Sequence, residues 1–304
     1  MYRKNKCGIC LSIVLTGCMN SNSLKNGIQR EVDDHGDRFV SVQEYKGEGF
    51  KLKNGEEHDK TAEDNRGEIE KAVKAFFLKQ YKTDVEIYNI VGNVDGASVF
   101  VESVGTPHFY TYAVVPIDSK DTILTDQVHS LDGEVENAIA SGVYGLMYED
   151  EFSKLDDVIK EMAKNHGFIG ETKEAIQNTA TFGYGSPFYY VSFGDLNASN
   201  QMMNDYLENP KTSKEEWEKT INPAEIDPQS TYITIQLYKN KPGAYPTNEE
   251  LEKIVKTMEE TEGLPAGAYN ILLHDHTIDK ETGIGSKETT IERSLPDSII
   301  KKQA

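Results

Sequence analysis

The stretch Thr231-Tyr232-Ile233-Thr234-Ile235-Gln236-Leu237-Tyr238, followed by the polar segment Lys239 to Tyr245, then Pro246-Thr247 and the periodic run Asn248 to Glu262, then Ala268 to His274, decides the fold class. The first run is β-branched and aromatic and reads as a strand. The second repeats apolar residues at helical spacing, is entered through Pro246-Thr247, and is closed by Gly263 and Pro265. The third reads as another strand. If the two strands are parallel, the unit is a right-handed β-α-β crossover.

Upstream, the period alternates in the same way. Phe39 to Tyr45 predicts a short strand. Ile69, Val73, Phe76, Phe77, Gln80 and Tyr81 predict an amphipathic helix over Arg66 to Tyr81. Val85 to Val91 and Ala97 to Val101 flank Asp95-Gly96, a hairpin signal, and Phe109 to Ile117 adds a third strand. Glu134 to Tyr148 and Glu151 to Asn165 are two helical segments, with Gly167 and Gly170 in the position of C-terminal caps. Phe188 to Phe193 predicts a strand. Ser199 to Glu208 and Ser213 to Thr220 predict short helices, the latter with Ser213 and Glu216 at capping-box spacing. Polar Lys53 to Asn65 and the tail from Thr277 read as irregular. The expectation is an α+β fold: a helix with an antiparallel meander, a helical middle and a C-terminal β-α-β unit. It forms one domain over 39–304, with two lobes left open.

The N-terminus carries the most specific signal. Arg3, Lys4 and Lys6 precede an apolar run from Cys7 to Leu15, and Leu15-Thr16-Gly17-Cys18 follows. A basic region, a short apolar region and small residues before a cleavage point make a secretory signal, assigned to residues 1–17. The apolar run is about half of the roughly 20 residues that span a bilayer. Met19 to Arg38 is rich in Asn, Ser, Gly and Asp and lacks apolar periodicity, so residues 18–38 read as a disordered tether. Such a segment reaches a root-mean-square span of roughly 25 Å.

Charge and cysteine content exclude some classes. The net charge is −19, and subtracting the three cations of residues 1–17 makes the remainder −22. Nucleic acid requires a basic footprint and is excluded as a partner. Of the three cysteines, Cys7 and Cys10 lie within residues 1–17, so the remaining chain keeps only Cys18 and forms no internal disulfide. There is no G-x-S-x-G elbow, P-loop, H-E-x-x-H or Rossmann glycine pattern. No cofactor is called for.

Three clusters remain. His274-Asp275-His276 puts two imidazoles two residues apart, where a strand would aim both at one cation, although zinc needs further ligands. The alternative is a pair of histidines at a strand end facing solvent. Asp279 to Gly283 contains part of a calcium-loop pattern but fails its spacing and reads as a turn. The run Phe182 to Phe193 is half aromatic in a chain that is 9% aromatic. Phe182, Tyr184 and Tyr189 could form a binding rim for a glycan or peptide, or be core.

Leu15-Thr16-Gly17-Cys18 resembles the lipobox of bacterial lipoproteins. That resemblance implies a diacylglyceryl thioether on Cys18, cleavage before it, and attachment to the outer face of the cell membrane. Together with Val40 to Tyr45, Val135 to Tyr144 and Phe152 to Asp157, the chain resembles a family of uncharacterised Gram-positive cell-envelope lipoproteins known as a domain of unknown function. The resemblance implies no activity, cofactor or catalytic residue. Two functions are carried forward. One is a lipid-anchored, non-catalytic module binding an envelope ligand or protein. The other is a metal-assisted envelope hydrolase using His274 and His276.

Overall fold

The computed structural model describes residues 38–194, 196–222 and 226–302. Residues 1–17, Cys18 and the tether up to residue 37 lie outside the described residues. The chain is an α+β fold built on two larger sheets that share a buried helix between them.

The N-terminal strand β1 covers only Phe39–Ser41. The alternation over Phe39 to Tyr45 predicts a longer strand, but the Tyr45 amide turns back to the Ser41 carbonyl at 3.0 Å and ends it. Helix α1, Glu56–Asp64, falls in the polar stretch expected to be irregular. Tertiary contacts override its weak local signal: Ala62 is buried, Asp59 Oδ1 accepts the Gly92 amide at 2.7 Å, and Gly55 meets Gly92 so closely that a Cβ on Gly55 would stand 1.9 Å from the Gly92 oxygen.

Helix α2, Arg66–Tyr81, matches its expected span and buries Ile69, Val73, Phe77 and Tyr81 at four-residue intervals. It covers the antiparallel meander β2, Val85–Asn93, β3, Gly96–Ser103, and β4, Tyr110–Pro116. The register pairs Asn93 with Gly96, so the turn is Val94-Asp95, one residue earlier than the Asp95-Gly96 signal placed it.

Helix α3, Glu134–Met147, is buried on nearly every face, from Val135 through Tyr144 to Met147. A helix apolar all round belongs in the interior, and this one packs against β4 on one side and against the second sheet on the other. Helix α4, Glu149–His166, is one-sided, burying Phe152, Leu155, Ile159, Met162 and Ala163, and ends on Gly167 in the left-handed conformation. Then come β5, Phe168–Ile169, α5, Lys173–Thr179, β6, Gly185–Ser186, β7, Tyr189–Phe193, α6, Leu196–Glu208, and α7, Lys214–Thr220. The Ser213–Glu216 capping box is formed.

The β-α-β unit is β8, Thr231–Lys239, α8, Asn248–Glu260, and β9, Gly267–His274. β8 and β9 are parallel, pairing Tyr238 with His274. α8 opens on a capping box of Thr247 and Glu250. The tail is not irregular. β10, Thr277–Asp279, pairs with β1, while β11, Ile291–Arg293, and β12, Ile299–Lys301, both pair with β9. These three-residue strands are too short to carry a period, so their pairing partners alone define them. The second sheet runs β11-β9-β8-β7-β6, with β12 also on β9 and β5 on β8.

Candidate functional site

The parallel pair ends at Tyr238 and His274, and the polar side chains with the least obvious structural purpose gather there. Tyr238 is wholly buried, and its hydroxyl donates to Glu171 Oε1 at 3.0 Å. Glu171 directly precedes Thr172, whose side chain caps α5. The Glu171 amide donates to the Pro187 carbonyl at 2.8 Å, and the Gln236 amide donates to the Phe188 carbonyl at 2.8 Å. These bonds draw the loop before β7 between α5 and β8. They leave a niche, with about 10 Å³ of space for a water-sized group, bordered by Glu171, Phe182, Pro187, Phe188, Tyr190 and Gln236. Phe182 stacks on Tyr190 at 4.9 Å and 22°. Part of Glu171 reaches the surface, yet its carboxyl lies among rings. Burial pushes it up to about 7, with the Tyr238 hydrogen bond pulling the other way.

The three aromatic residues singled out in the sequence are divided between two places. Phe182 and Tyr189 both border the niche, but the ring of Tyr189, like that of Tyr184, turns inward onto Phe152. The Tyr184 amide donates to Ser141 Oγ at 2.8 Å, and its ring packs on Phe152 at 4.9 Å and against the bare backbone of Gly145. A Cβ on Gly145 would stand 2.5 Å from that ring. Tyr189 is 3% exposed and stacks on Phe152. Strand alternation separates Tyr189 from its neighbour Tyr190, which faces the other side. A broad glycan or peptide rim needs Phe182 and Tyr184 well exposed, and both are half-buried.

His274 and His276 do not face solvent; both are buried. His274 Nδ1 lies 2.9 Å from Thr290 Oγ1, its ring lies 4.7 Å from that of Tyr238, and its Nε2 is buried without a hydrogen-bond partner. Burial, reinforced by the Lys287 cation, pushes His274 down to about 3. His276 follows the end of β9, so strand alternation does not bring the two rings together. Its Nδ1–H donates to the Lys239 carbonyl at 2.8 Å, and its Nε2 accepts from the Ser41 hydroxyl at 2.9 Å, a tautomer assigned from the network. Burial alone would raise Asp275, but Lys287, Thr277 and Thr289 hold it below its ordinary range. Among the described residues, no three or more His, Cys, Asp or Glu are placed to hold a metal ion. Asp279 to Gly283 closes as a turn, with the Gly283 amide on the Asp279 carbonyl at 2.8 Å.

A second polar cluster went unread in the sequence. His108 Nε2 meets Glu102 Oε1 at 2.8 Å, and the Gln177 amide donates to Glu102 Oε2 at 2.8 Å. Burial opposes ionisation of Glu102, but Gln177, His108 and Tyr88 hold it below the ordinary carboxylate range. The one available signal was a carboxylate interrupting the buried run Val99-Phe100-Val101. Glu171, in a loop before a seven-residue helix, gave none.

The model of a family described as "Protein of unknown function (DUF1672)" matches residues 32–301. The fold is similar to the crystal structure of a DUF1672 family protein from Staphylococcus aureus, with a TM-score of 0.71 and 17% sequence identity. The match covers 88% of this chain and 99% of that one. No curated protein matches the sequence.

Proposed function

Because the chain belongs to the DUF1672 family of proteins of unknown function, we propose a function from its own residues: a lipid-anchored, non-catalytic module that binds a ligand or protein at the outer face of the cell membrane. The observation that carries this reading is the order of segments at the N-terminus. Three cations, a short apolar run and Leu15-Thr16-Gly17-Cys18 precede a polar spacer, and the described fold begins at Arg38. One acyl chain holds a soluble domain only marginally, whereas two hold it stably; a lipidated cysteine meets that need. Among the described residues, no helix is long and apolar enough to cross a membrane. Binding is favoured over catalysis because Glu102 and His276 are committed to hydrogen bonds that join separate elements of the fold. The hydrolase alternative has one observation in its favour, the unpartnered Nε2 of His274, but His276 has both nitrogens occupied.

Labelling with an alkyne fatty acid tests the anchor. The wild type should take up label and Cys18→Ala should not. Equal labelling of the two would refute the lipobox assignment.

A further inference from the structure

The niche beside Glu171 selects by size, charge and surface at once. Its space of about 10 Å³ is close to the minimum that holds one water. A primary ammonium head is about that large, whereas a trimethylated head or a hydrated metal ion is several times larger. Its polar side chains include Ser186, Gln236 and Glu171, and the carboxyl of Glu171 has one oxygen bonded to Tyr238. The remaining walls include the stacked rings of Phe182 and Tyr190, with Phe188 beside them. Aromatic rings attract cations, by roughly 0.5–2 kcal/mol depending on desolvation. A half-buried carboxylate without a counter-charge gains most from a cation placed against it.

We infer that this niche receives a primary ammonium group carried by an envelope ligand, with Glu171 supplying the charge and the Phe182–Tyr190 pair the flanking wall. The inference rests on reading the domain as a binding module and gives that module a chemistry.

The titratable groups that face Glu171 are the phenols of Tyr45 from the turn after β1, Tyr190 from β7 and Tyr238 from β8. All are uncharged near neutral pH, burial having raised each of them. Nothing among them competes with an incoming cation. A carboxyl that titrates at about 7 is almost fully ionised at pH 8 and about one part in a hundred ionised at pH 5. An ammonium ligand that requires the ionised form must therefore bind far more weakly in acid, and it must release a proton on binding near pH 6.

The probe is methylammonium chloride, titrated into the full-length protein at pH 8 and pH 5 and followed by calorimetry and by melting temperature. Tetramethylammonium and sodium chloride serve as size and ionic-strength controls. Saturable binding of methylammonium is expected at pH 8, weaker by tenfold to a hundredfold at pH 5, and absent in Glu171→Gln. Phe182→Leu keeps the carboxyl and should weaken binding several-fold, which keeps the test valid if the first variant folds poorly. No response in the wild type would overturn the proposal. So would an equal response to tetramethylammonium, or a response unchanged in both variants. Fatty-acid labelling of Cys18 is independent of all of these results, so failure of the niche and failure of the anchor are told apart.

Discussion

Replacing Glu171 by Gln should make the protein more stable at pH 8 and leave it nearly unchanged at pH 5. The amide keeps an oxygen that can accept the Tyr238 hydroxyl, so the hydrogen bond of 3.0 Å survives while the titration disappears. In the folded chain, burial raises this carboxyl from an ordinary 4.5 to about 7. The folded state thus keeps a proton that the unfolded chain gives up above pH 4.5. The group's contribution to stability is whole below pH 4.5 and is lost as the pH rises through 7. Moving the titration from 4.5 to about 7 corresponds to about 3 kcal/mol, lost at no more than about 1.4 kcal/mol per pH unit. Urea unfolding of both proteins at intervals from pH 5 to pH 8 measures this directly. Every other titrating group cancels in the difference between the two curves. That difference should grow with pH and level off near pH 8 at about 3 kcal/mol in favour of Gln. A difference that stays flat across the range would refute the burial of the carboxyl and everything built on it.

His274 should act in the opposite direction. It is held neutral, at about 3 against an ordinary 6.5, so its contribution is present above pH 6.5 and is lost as the pH falls, by up to about 5 kcal/mol near pH 3. His274→Gln should flatten the acid limb of stability between pH 6 and pH 4, and an unchanged limb would count against a buried neutral ring. Tyr184→Ala removes a half-buried ring lying on Phe152 and Gly145. It should cost about 2–3 kcal/mol, below the ~3–5 kcal/mol of a fully buried aromatic, and leave methylammonium binding at the niche intact. A loss of amine binding without a change in unfolding midpoint would show that Tyr184 belongs to the site instead.

The parts of the fold that were legible are those where local periodicity and tertiary burial agree. α2 buries Ile69, Val73, Phe77 and Tyr81 of the residues its spacing marks, leaving Phe76 half-buried and Gln80 exposed, and β8, α8 and β9 lie where alternation, capping and helical period place them. α1 was hidden because its helix is set by the close meeting of Gly55 with Gly92, a contact between positions 37 residues apart. β11 and β12 were hidden because three residues cannot display a period, and only β9 beside them makes them strands. The site followed the same rule. The aromatic density of Phe182 to Phe193 marked a stretch whose rings pack on one another and on Phe152. It could not say that Tyr184 and Tyr189 turn inward while Phe182 and Tyr190 turn toward Glu171, since that depends on the register of β7 with β8. His274 and His276 stood out as a pair, but the end of β9 between them sends each ring to partners of its own.

The pairing of β1 with β10 joins Phe39 to Asp279 across 240 residues of chain, reinforced by the Arg38–Asp279 ion pair at 2.6 Å and the Ser41–His276 hydrogen bond. A mechanical load applied at the N-terminal end of the fold meets this three-residue clasp first. Behind it lie Val42 and Tyr45, packed with Tyr238, Ala175 and Ile278 in a cluster distinct from the main core. Tension would therefore be spent on that small cluster before it reached the residues around α3. Tyr238, whose hydroxyl holds Glu171, is the side chain through which a pull on the N-terminal segment would be felt at the niche.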